Sequence, residues 1–452
     1  MGGGMAHSAE QAGNQANDRT TERALLVRLF NAAVTAAHPD SCLPGHIPAP
    51  APGGRTVIVG AGKAAAAMAA TLEREWPADA PHQPEGLVIT RYGLAVPTRW
   101  IEVVEAGHPV PDAAGLSATA RILEMVSDLG PQDRVICLLS GGGSALLTQP
   151  APGITLADKQ VVTQGLLASG APIHHMNTVR KHLSAVKGGG LARHAAPAPV
   201  TTLAISDIVG DDPAIIASAP TLVDDTTPAD ALALLQHYGI RMPDAVSRLL
   251  TAPPAAPEPI PSGDYVIAGR PASCLASAAA LARQAGLSVI NLGDAVEGEA
   301  RDIGRQHAKM ACDLLDNDPQ AATGNGTLIL SGGELTVTLG PDGDPDGLGG
   351  PNREYALAFA SAIKGRTGIS LLAADTDGQD GMGDGAGAFA DGSTWSRATA
   401  AGLDPDQALR GHDSHRLFAG LGDLFAPGPT HTNVNDFRAI IVRPAMIDGQ
   451  EP

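Results

Sequence analysis

Residues Val57 to Ala67 read V-I-V-G-A-G-K-A-A-A-A. An apolar β-type run stops at Gly60 and Gly62, and an alanine-rich helical stretch follows at once. A chain built this way places a strand, a glycine turn and a helix N-terminus in succession, the unit from which parallel α/β sheets are made. That geometry receives phosphate on backbone N–H groups and on the helix dipole. The spacing Gly60-x-Gly62-x-x-Ala65 also satisfies the dinucleotide fingerprint. Lys63, a cation in the first helical turn, is the residue that fingerprint does not explain.

The alternation repeats along the chain. Apolar runs at 56–60, 86–90, 134–140 and 200–206 each end in a polar or glycine-bearing segment, with helical patterns between them. This predicts a parallel sheet with helices on both faces, whose ligands sit beyond the carboxyl ends of the strands. The stretch T-A-P-P-A-A-P-E-P-I-P-S at 251–262 then forbids a helix and favours an extended spacer. Runs at 264–269, 287–292, 327–330 with a return at 335–339, 370–374 and 438–442 resume the pattern. The expected fold is α/β in two domains. Residues 1–18 form a disordered tail, and 19–250 a larger N-terminal domain with a Rossmann-like doubly wound parallel sheet, opened by a helix at about 19–38. Residues 251–262 are a linker, and 263–452 a smaller C-terminal α/β domain. A cleft between the domains is the natural place for a two-substrate reaction.

Composition narrows the partners. With 452 residues the chain exceeds one ordinary core. Hydrophobic residues make up 44% but aromatics 3%, so alanine, valine and leucine must build the interior. A formal net charge of −18 argues against a nucleic-acid backbone or an anionic membrane as partner, yet a few local cations can still define an anion site. No apolar run is long enough for a transmembrane helix, and no signal peptide is expected. Cys42, Cys137, Cys274 and Cys312 are scattered without a C-x-x-C, which reads as reduced thiols of a cytoplasmic protein.

Several segments carry chemistry. Ser140-Gly141-Gly142-Gly143-Ser144 is a second glycine loop between a strand and a helix, suited to phosphate or carboxylate. In N-T-V-R-K-H-L-S-A-V-K-G-G-G at 177–190, helical spacing puts Arg180, Ser184 and Lys187 on one face, and with Lys181 they suggest an anion site in an acidic protein; a solvated basic face is the plainer alternative. Asp207 lies just past a strand end, where a carboxylate can hold a metal, act as a base or simply cap a turn. Asp211 and Asp212 read as turn residues. Downstream, Glu334 follows Ser331-Gly-Gly, and Asn352, Arg353 and Glu354 occupy the first turn of an apolar helix. Arg353 is a candidate phosphate fork, with a surface cap as the alternative. The acidic stretch Asp375-Thr-Asp377-Gly-Gln-Asp380 departs from the EF-hand pattern and suits Mg2+ better than Ca2+. Asn433 and Asn435, in T-N-V-N-D, could bond a polyol or ribose, or cap a loop. There is no G-x-x-x-x-G-K-[ST], H-E-x-x-H or G-x-S-x-G.

Taken in order, V-G-A-G-K-A-A at 59–65, S-G-G-G-S-A at 140–145, N-x-V-R-K-H-L-S-x-V-K-G-G at 177–189, S-D-I-V-G-D at 206–211, S-G-G-E at 331–334, G-x-G-G-x-N at 347–352, T-D-G-x-D-G at 376–381 and T-N-V-N-D at 432–436 resemble the class II glycerate kinases. Members of that family have often been labelled hydroxypyruvate reductases, and its last four motifs belong to the MOFRL domain. The resemblance covers nearly the whole chain. It implies a two-domain fold with the site in the cleft, ATP with Mg2+, and D-glycerate as the acceptor giving 2-phosphoglycerate. Lys63 matches the lysine implicated in catalysis there. The family's usual G-G-R-N-Q-E is Gly349-Gly-Pro351-Asn-Arg353-Glu in this chain, with the arginine displaced by two positions.

The readings then separate. As a kinase, the chain would hold phosphates on Gly60, Gly62 and the 140–144 loop. Arg180 would take the acceptor carboxylate, Lys63 neutralise the group in transfer, and Asp207 orient or deprotonate the hydroxyl. Lys187, Glu334, Asn352, Asn433 and Asn435 complete the expected binding set, Arg353 stands beside Lys63 and Asp207 as catalytic, and Asp375, Asp377 and Asp380 are the metal candidates. As an NAD(P)-dependent hydroxypyruvate reductase it would use the Gly60-x-Gly62-x-x-Ala65 pattern; the next strand runs into Arg91 rather than the acid that binds the ribose of NAD, and an arginine there could suit NADP. A non-catalytic sugar- or nucleotide-phosphate sensor is a third reading. Partners are expected to be small molecules, with a homodimer left open.

Overall fold

The computed structural model describes residues 3–253, 259–261, 263–317, 325–339 and 347–443, with side chains described from Arg19 onward. It divides into two compact units. The first contains Ala37–Arg270 together with His431–Val434.

The sheet of the first unit holds β1 (Thr56–Ala61), β2 (Glu85–Arg91), β3 (Ile101–Ala106), β4 (Arg134–Leu139), β5 (Val200–Ile205) and β6 (Tyr265–Gly269). All pairings are parallel, and the spatial order is β3-β2-β1-β4-β5-β6. That is the order of doubly wound nucleotide-binding sheets. Every residue of β1 is buried, as a strand covered by helices on both faces must be. Val57, Val59, Leu87, Ile89, Val135, Cys137 and Leu139 form one face of the core, packed with Ala118, Ile122 and Val126 of the helix Ala113–Ser127. The chain leaves β1 toward β2 and β3 on one side, then returns to β4 on the other. The loops after β1 and β4 therefore lie side by side, where such sheets bind ligands.

The second unit holds β7 (Ser288–Asn291), β8 (Gly298–Glu299), β9 (Thr327–Ser331), β10 (Leu335–Thr336), β11 (Ile369–Asp375), β12 (Gly387–Asp391), β13 (Leu424–Phe425) and β14 (Asp436–Val442). Its main sheet has the order β13-β12-β11-β14-β9-β7. Only β7 and β9 pair in parallel in it; β14 pairs antiparallel with both β9 and β11, and β12 continues antiparallel to β13. The expected return strand at 335–339 does not pair with β9: β10 joins β8 in a separate two-stranded parallel ribbon. Against the sheet lies the helix Pro351–Ala362, whose nine residues Asn352 to Ala360 are all buried. It packs on β11 and β12 and on the helices Ala300–Asn317 and Ser414–Leu421, so no face is left for water.

The domain limits expected from the sequence shift. The boundary falls at Arg270/Pro271 rather than across 251–262, because β6 lies beyond the proline-rich segment and still hydrogen-bonds to β5. Residues 254–258 and 262 of that segment lie outside the described residues. The opening helix runs Gly3–Ala37, continuing through the expected tail with no proline to stop it. It belongs to the second unit up to Ala36, where Phe30 packs edge-on against Phe425 and Phe437, with centroids 4.9 and 5.7 Å away. None of the four cysteines forms a disulfide, and burial pushes the Cys137 thiol up to about 12. Among the described residues no helix is long and apolar enough to cross a membrane.

Candidate active site

The loops after β1 and β4 are laced together through their backbones. Lys63 N–H donates to Gly141 O at 2.8 Å, and Ser140 N–H donates to Ala61 O at 3.2 Å. Ser140 Oγ accepts the N–H of Ala64 at 3.0 Å. Thr90 Oγ1, from β2, donates to the carbonyl of Lys63 at 3.3 Å. Gly62 takes φ +145°, and a Cβ there would overlap Ser140 Oγ, so the approach requires glycine. Ser140 is fully buried and acts on the neighbouring loop, so its expected place in a phosphate cradle becomes one of bracing. The helix Ala65–Glu75 has Ala64 at its N-cap with no side-chain cap, leaving its first N–H groups without a capping side chain.

Lys63 is half-buried at the mouth of this construction, and its Cγ lies 3.4 Å from where a Cβ on Gly142 would stand. The His108 ring lies 3.0 Å from the same point. Gly142 has φ +79°, a conformation suited to glycine. On the other side of the loop a Cβ on Gly141 would overlap the Asp207 carboxylate and the Asn433 amide. Asp207 stands two residues past β5, and Asn433 Nδ2 donates to its Oδ2 at 3.0 Å. Lys63, Gly141–Gly143, Asp207 and Asn433 are thus brought together. Gly141→Ala is expected to displace the carboxylate and cut kcat by about 10²-fold while leaving the unfolding midpoint nearly unchanged; steady-state kinetics beside a denaturant curve checks both halves.

A second cluster surrounds Ser144. Ser218 Oγ donates to Asn177 Oδ1 at 3.1 Å, and since it has one O–H, Ser144 is the donor in the 2.7 Å Ser144–Ser218 pair. Arg180 Nη1 donates to the same Asn177 oxygen at 3.4 Å. Ala217, Ser218 and Ala219 have φ of +48°, +59° and +53°. Three successive left-handed non-glycine residues are strained, each by about 1–3 kcal/mol, and such strain gathers at ligand sites. The Ser218 and Ala219 carbonyls are held by the N–H groups of Gly188 and Gly189, at 3.2 and 2.9 Å.

The cations do not lie as the helical spacing predicted. The helix Ile173–His182 ends before Ser184 and Lys187. Ser184 Oγ instead donates to Gln149 O at 3.2 Å, and Lys181 pairs with Asp224 at 3.2 Å, outside the cluster. Lys187 re-enters from the loop, fully enclosed, its Nζ donating to Leu147 O at 3.1 Å. Lys159, which the sequence reading missed, is equally enclosed, its Nζ 3.1 Å from Thr148 Oγ1. Burial, then Arg180, pushes Lys159 down to about 7. Burial and the charges of Lys159 and Arg180 hold Lys187 well below the usual lysine range, and burial lowers Arg180. Among the described residues none of the three meets a carboxylate. The sequence carried no signal for Lys159: a lone lysine in the helix Leu156–Ala168 looks the same whether it is solvated or enclosed.

The candidates of the second unit are used differently. Arg353 is fully enclosed, with Nε 2.9 Å from Asp380 Oδ2. Its other N–H groups reach the carbonyls of Asp380, Met382 and Asp384 and the His415 ring. Its donors are spent inside the unit, so the expected phosphate fork is instead a strut for the 380–384 loop. Asn352 donates to Asp380 and Asp436, and Asp436 pairs with Arg438. Asp375 Oδ1 accepts Asp377 N–H at 2.9 Å, and Asp377 Oδ1 accepts Gln379 N–H at 2.7 Å, as turn-forming carboxylates do. Asp375, Asp377 and Asp380 do not fit Mg2+ as a set, because Asp380 is bound to Arg353; no group of three or more His, Cys, Asp or Glu among the described residues is placed for a metal. Glu334 is exposed after β9. Asn435 turns the chain with φ +64°, its carbonyl accepting Thr376 N–H at 3.1 Å and Thr376 Oγ1 at 2.6 Å. Asn433 and Asn435, read together from the sequence, fall in different units.

Comparison with known proteins gives this geometry a context. The domain of unknown function DUF4147 matches residues 25–251, and the MOFRL family matches residues 327–436. A protein of Agrobacterium vitis that carries the name "Putative hydroxypyruvate reductase" is 49% identical over 422 residues, covering 93% of this chain and 94% of its own. D-glycerate 2-kinase of Thermotoga maritima is 36% identical over 420 residues, covering 93% and 98%. A crystal structure of glycerate kinase from Thermotoga maritima superposes with TM-score 0.80 at 36% identity, covering 94% of this chain and all of that one.

Proposed function

The chain belongs to the MOFRL-containing family that includes these glycerate kinases, and from that premise we propose that it transfers the γ-phosphoryl group of ATP to the 2-hydroxyl of D-glycerate. The observation that carries this reading is Lys63, tied by its backbone N–H to Gly141 O at the switch point of the first sheet, with the Asp207 carboxylate packed against the same glycine. Phosphoryl transfer asks for positioning and charge neutralisation more than for covalent chemistry. The uncapped start of the helix Ala65–Glu75 and the backbone of Gly141–Gly143 receive phosphate oxygens. Lys63 follows the charge that develops on the group in transfer. Asp207, oriented by Asn433, accepts the proton of the attacking hydroxyl. Arg180 takes the acceptor carboxylate.

The alternative is an NAD(P)-dependent hydroxypyruvate reductase, favoured by the strand order and by the name of the Agrobacterium relative. Against NAD as the cofactor, β2 ends in Arg91 where such a fold carries the ribose-binding acid, so only an NADP-dependent form of this alternative is consistent with that residue. The two separate in one experiment. With D-glycerate and ATP the protein is expected to release ADP and give a product whose phosphorus NMR signal couples to C2, while NAD(P)H with hydroxypyruvate stays unoxidised. NAD(P)H oxidation without ADP formation would overturn the kinase reading.

A further inference from the structure

We propose that Lys159 and Lys187, with Arg180, form an enclosed oxyanion site that receives the carboxylate of the acceptor and makes the protein select acids over uncharged polyols. The inference rests on the kinase reading and extends it to the basis of acceptor choice.

The two ammonium groups are anchored on consecutive residues: Lys187 on the carbonyl of Leu147 and Lys159 on the hydroxyl of Thr148. Both side chains are 2% exposed. Each ammonium has three donors, and one protein acceptor is found for each. Arg180 is near enough to act electrostatically on both lysines, and hydrogen bonds link it through Asn177 and Ser218 to Ser144. Ser144 ends the second glycine loop, and Leu147 and Thr148, which anchor the two lysines, follow it by three and four residues.

These three cations are desolvated without a carboxylate among the described residues: burial lowers all three, and repulsion from the neighbouring cations lowers Lys159 and Lys187 further. A fold that served only stability would fill this space with apolar side chains. A bound oxyanion would offset these costs, supplying further acceptors and favouring the charged forms of the three side chains. The strained 217–219 segment, braced by Gly188 and Gly189, fixes Ser218 and through it the position of Arg180.

The test is Lys159→Met in the full chain, a change that keeps the length of the buried stem. KM for D-glycerate is expected to rise about tenfold or more while KM for ATP holds, since a charge-assisted contact in an enclosed site is of that size. The wild-type protein should prefer D-glycerate to its uncharged amide, and the variant should lose most of that preference. Lys187→Met is the companion, and thermal melting of both variants shows whether they fold. A rise in KM for ATP in place of D-glycerate would overturn the carboxylate assignment in favour of a nucleotide phosphate. Folded variants with unchanged KM values and unchanged acid-over-amide preference would overturn the site altogether and leave two neutral buried lysines. Failure of the wild-type protein to turn over D-glycerate at all would instead strike the kinase reading.

Discussion

Lys63→Ala is expected to lower kcat/KM for phosphoryl transfer by about 10³-fold, the size of effect seen when one positioned donor to a developing anion is removed. The fold should be untouched. The side chain is half-buried, and the contacts that place the loop come from the Lys63 backbone, its N–H to Gly141 and its carbonyl from Thr90, which alanine keeps. The loss should fall mainly on kcat, because a charge that tracks the transferring group is used more in the transition state than in the bound substrate. ADP release by the purified variant, with circular dichroism as the fold control, measures it; turnover near the wild-type rate would remove Lys63 from the mechanism.

Asp380→Ala is expected to destabilise the second unit by about 3–5 kcal/mol, because it strands the enclosed Arg353 guanidinium without its counter-charge. Burial already raises the Asp380 carboxyl, and Arg353 with the N–H groups of Asn352 and Arg353 only partly offsets it. The pair is therefore costly to break although it adds little net stability while intact. Arg353→Met should be comparably damaging, since three loop carbonyls lose their donor along with the carboxylate. The double variant should cost less than the sum of the two, as coupled groups do. Urea unfolding of the three variants reads the coupling directly, and additive losses would show that Arg353 and Asp380 act independently.

Much of the first unit was legible. Runs of valine, isoleucine and leucine ending in glycine or a polar residue can only be strands that stop at a loop, and β1, β2, β4, β5 and β6 lie where those runs predict. β3 was missed because I-E-V-V-E-A carries two glutamates, as a strand at the sheet edge can. In the second unit the runs of β7, β9, β11 and β14 were found, whereas β12 and β13 were missed and the strand directions were not read. Antiparallel and parallel strands share the same apolar content when both faces are buried, so nothing local marks β14 as antiparallel to both neighbours. For the site, spacing identified the glycine loops and Lys63, yet could not tell a side chain turned toward a ligand from one turned into the fold. Ser140 and Arg353 were both read as ligand contacts, and both are enclosed among the protein's own groups.

The sequence by itself determined where glycine is obligatory, where a cation interrupts a dinucleotide-type loop, and that a parallel sheet with loops at its carboxyl ends would form. These follow from backbone sterics and from the burial of apolar runs, which act over a few residues. Tertiary structure alone decided the partners. It set Asn433, more than two hundred residues away, against Asp207, and it closed Arg353 on Asp380. It also enclosed Lys159 with Lys187 and Arg180, with no carboxylate bound to them among the described residues. The physical reason is that a charge is neutral information in water and becomes decisive only once the fold has removed the water around it.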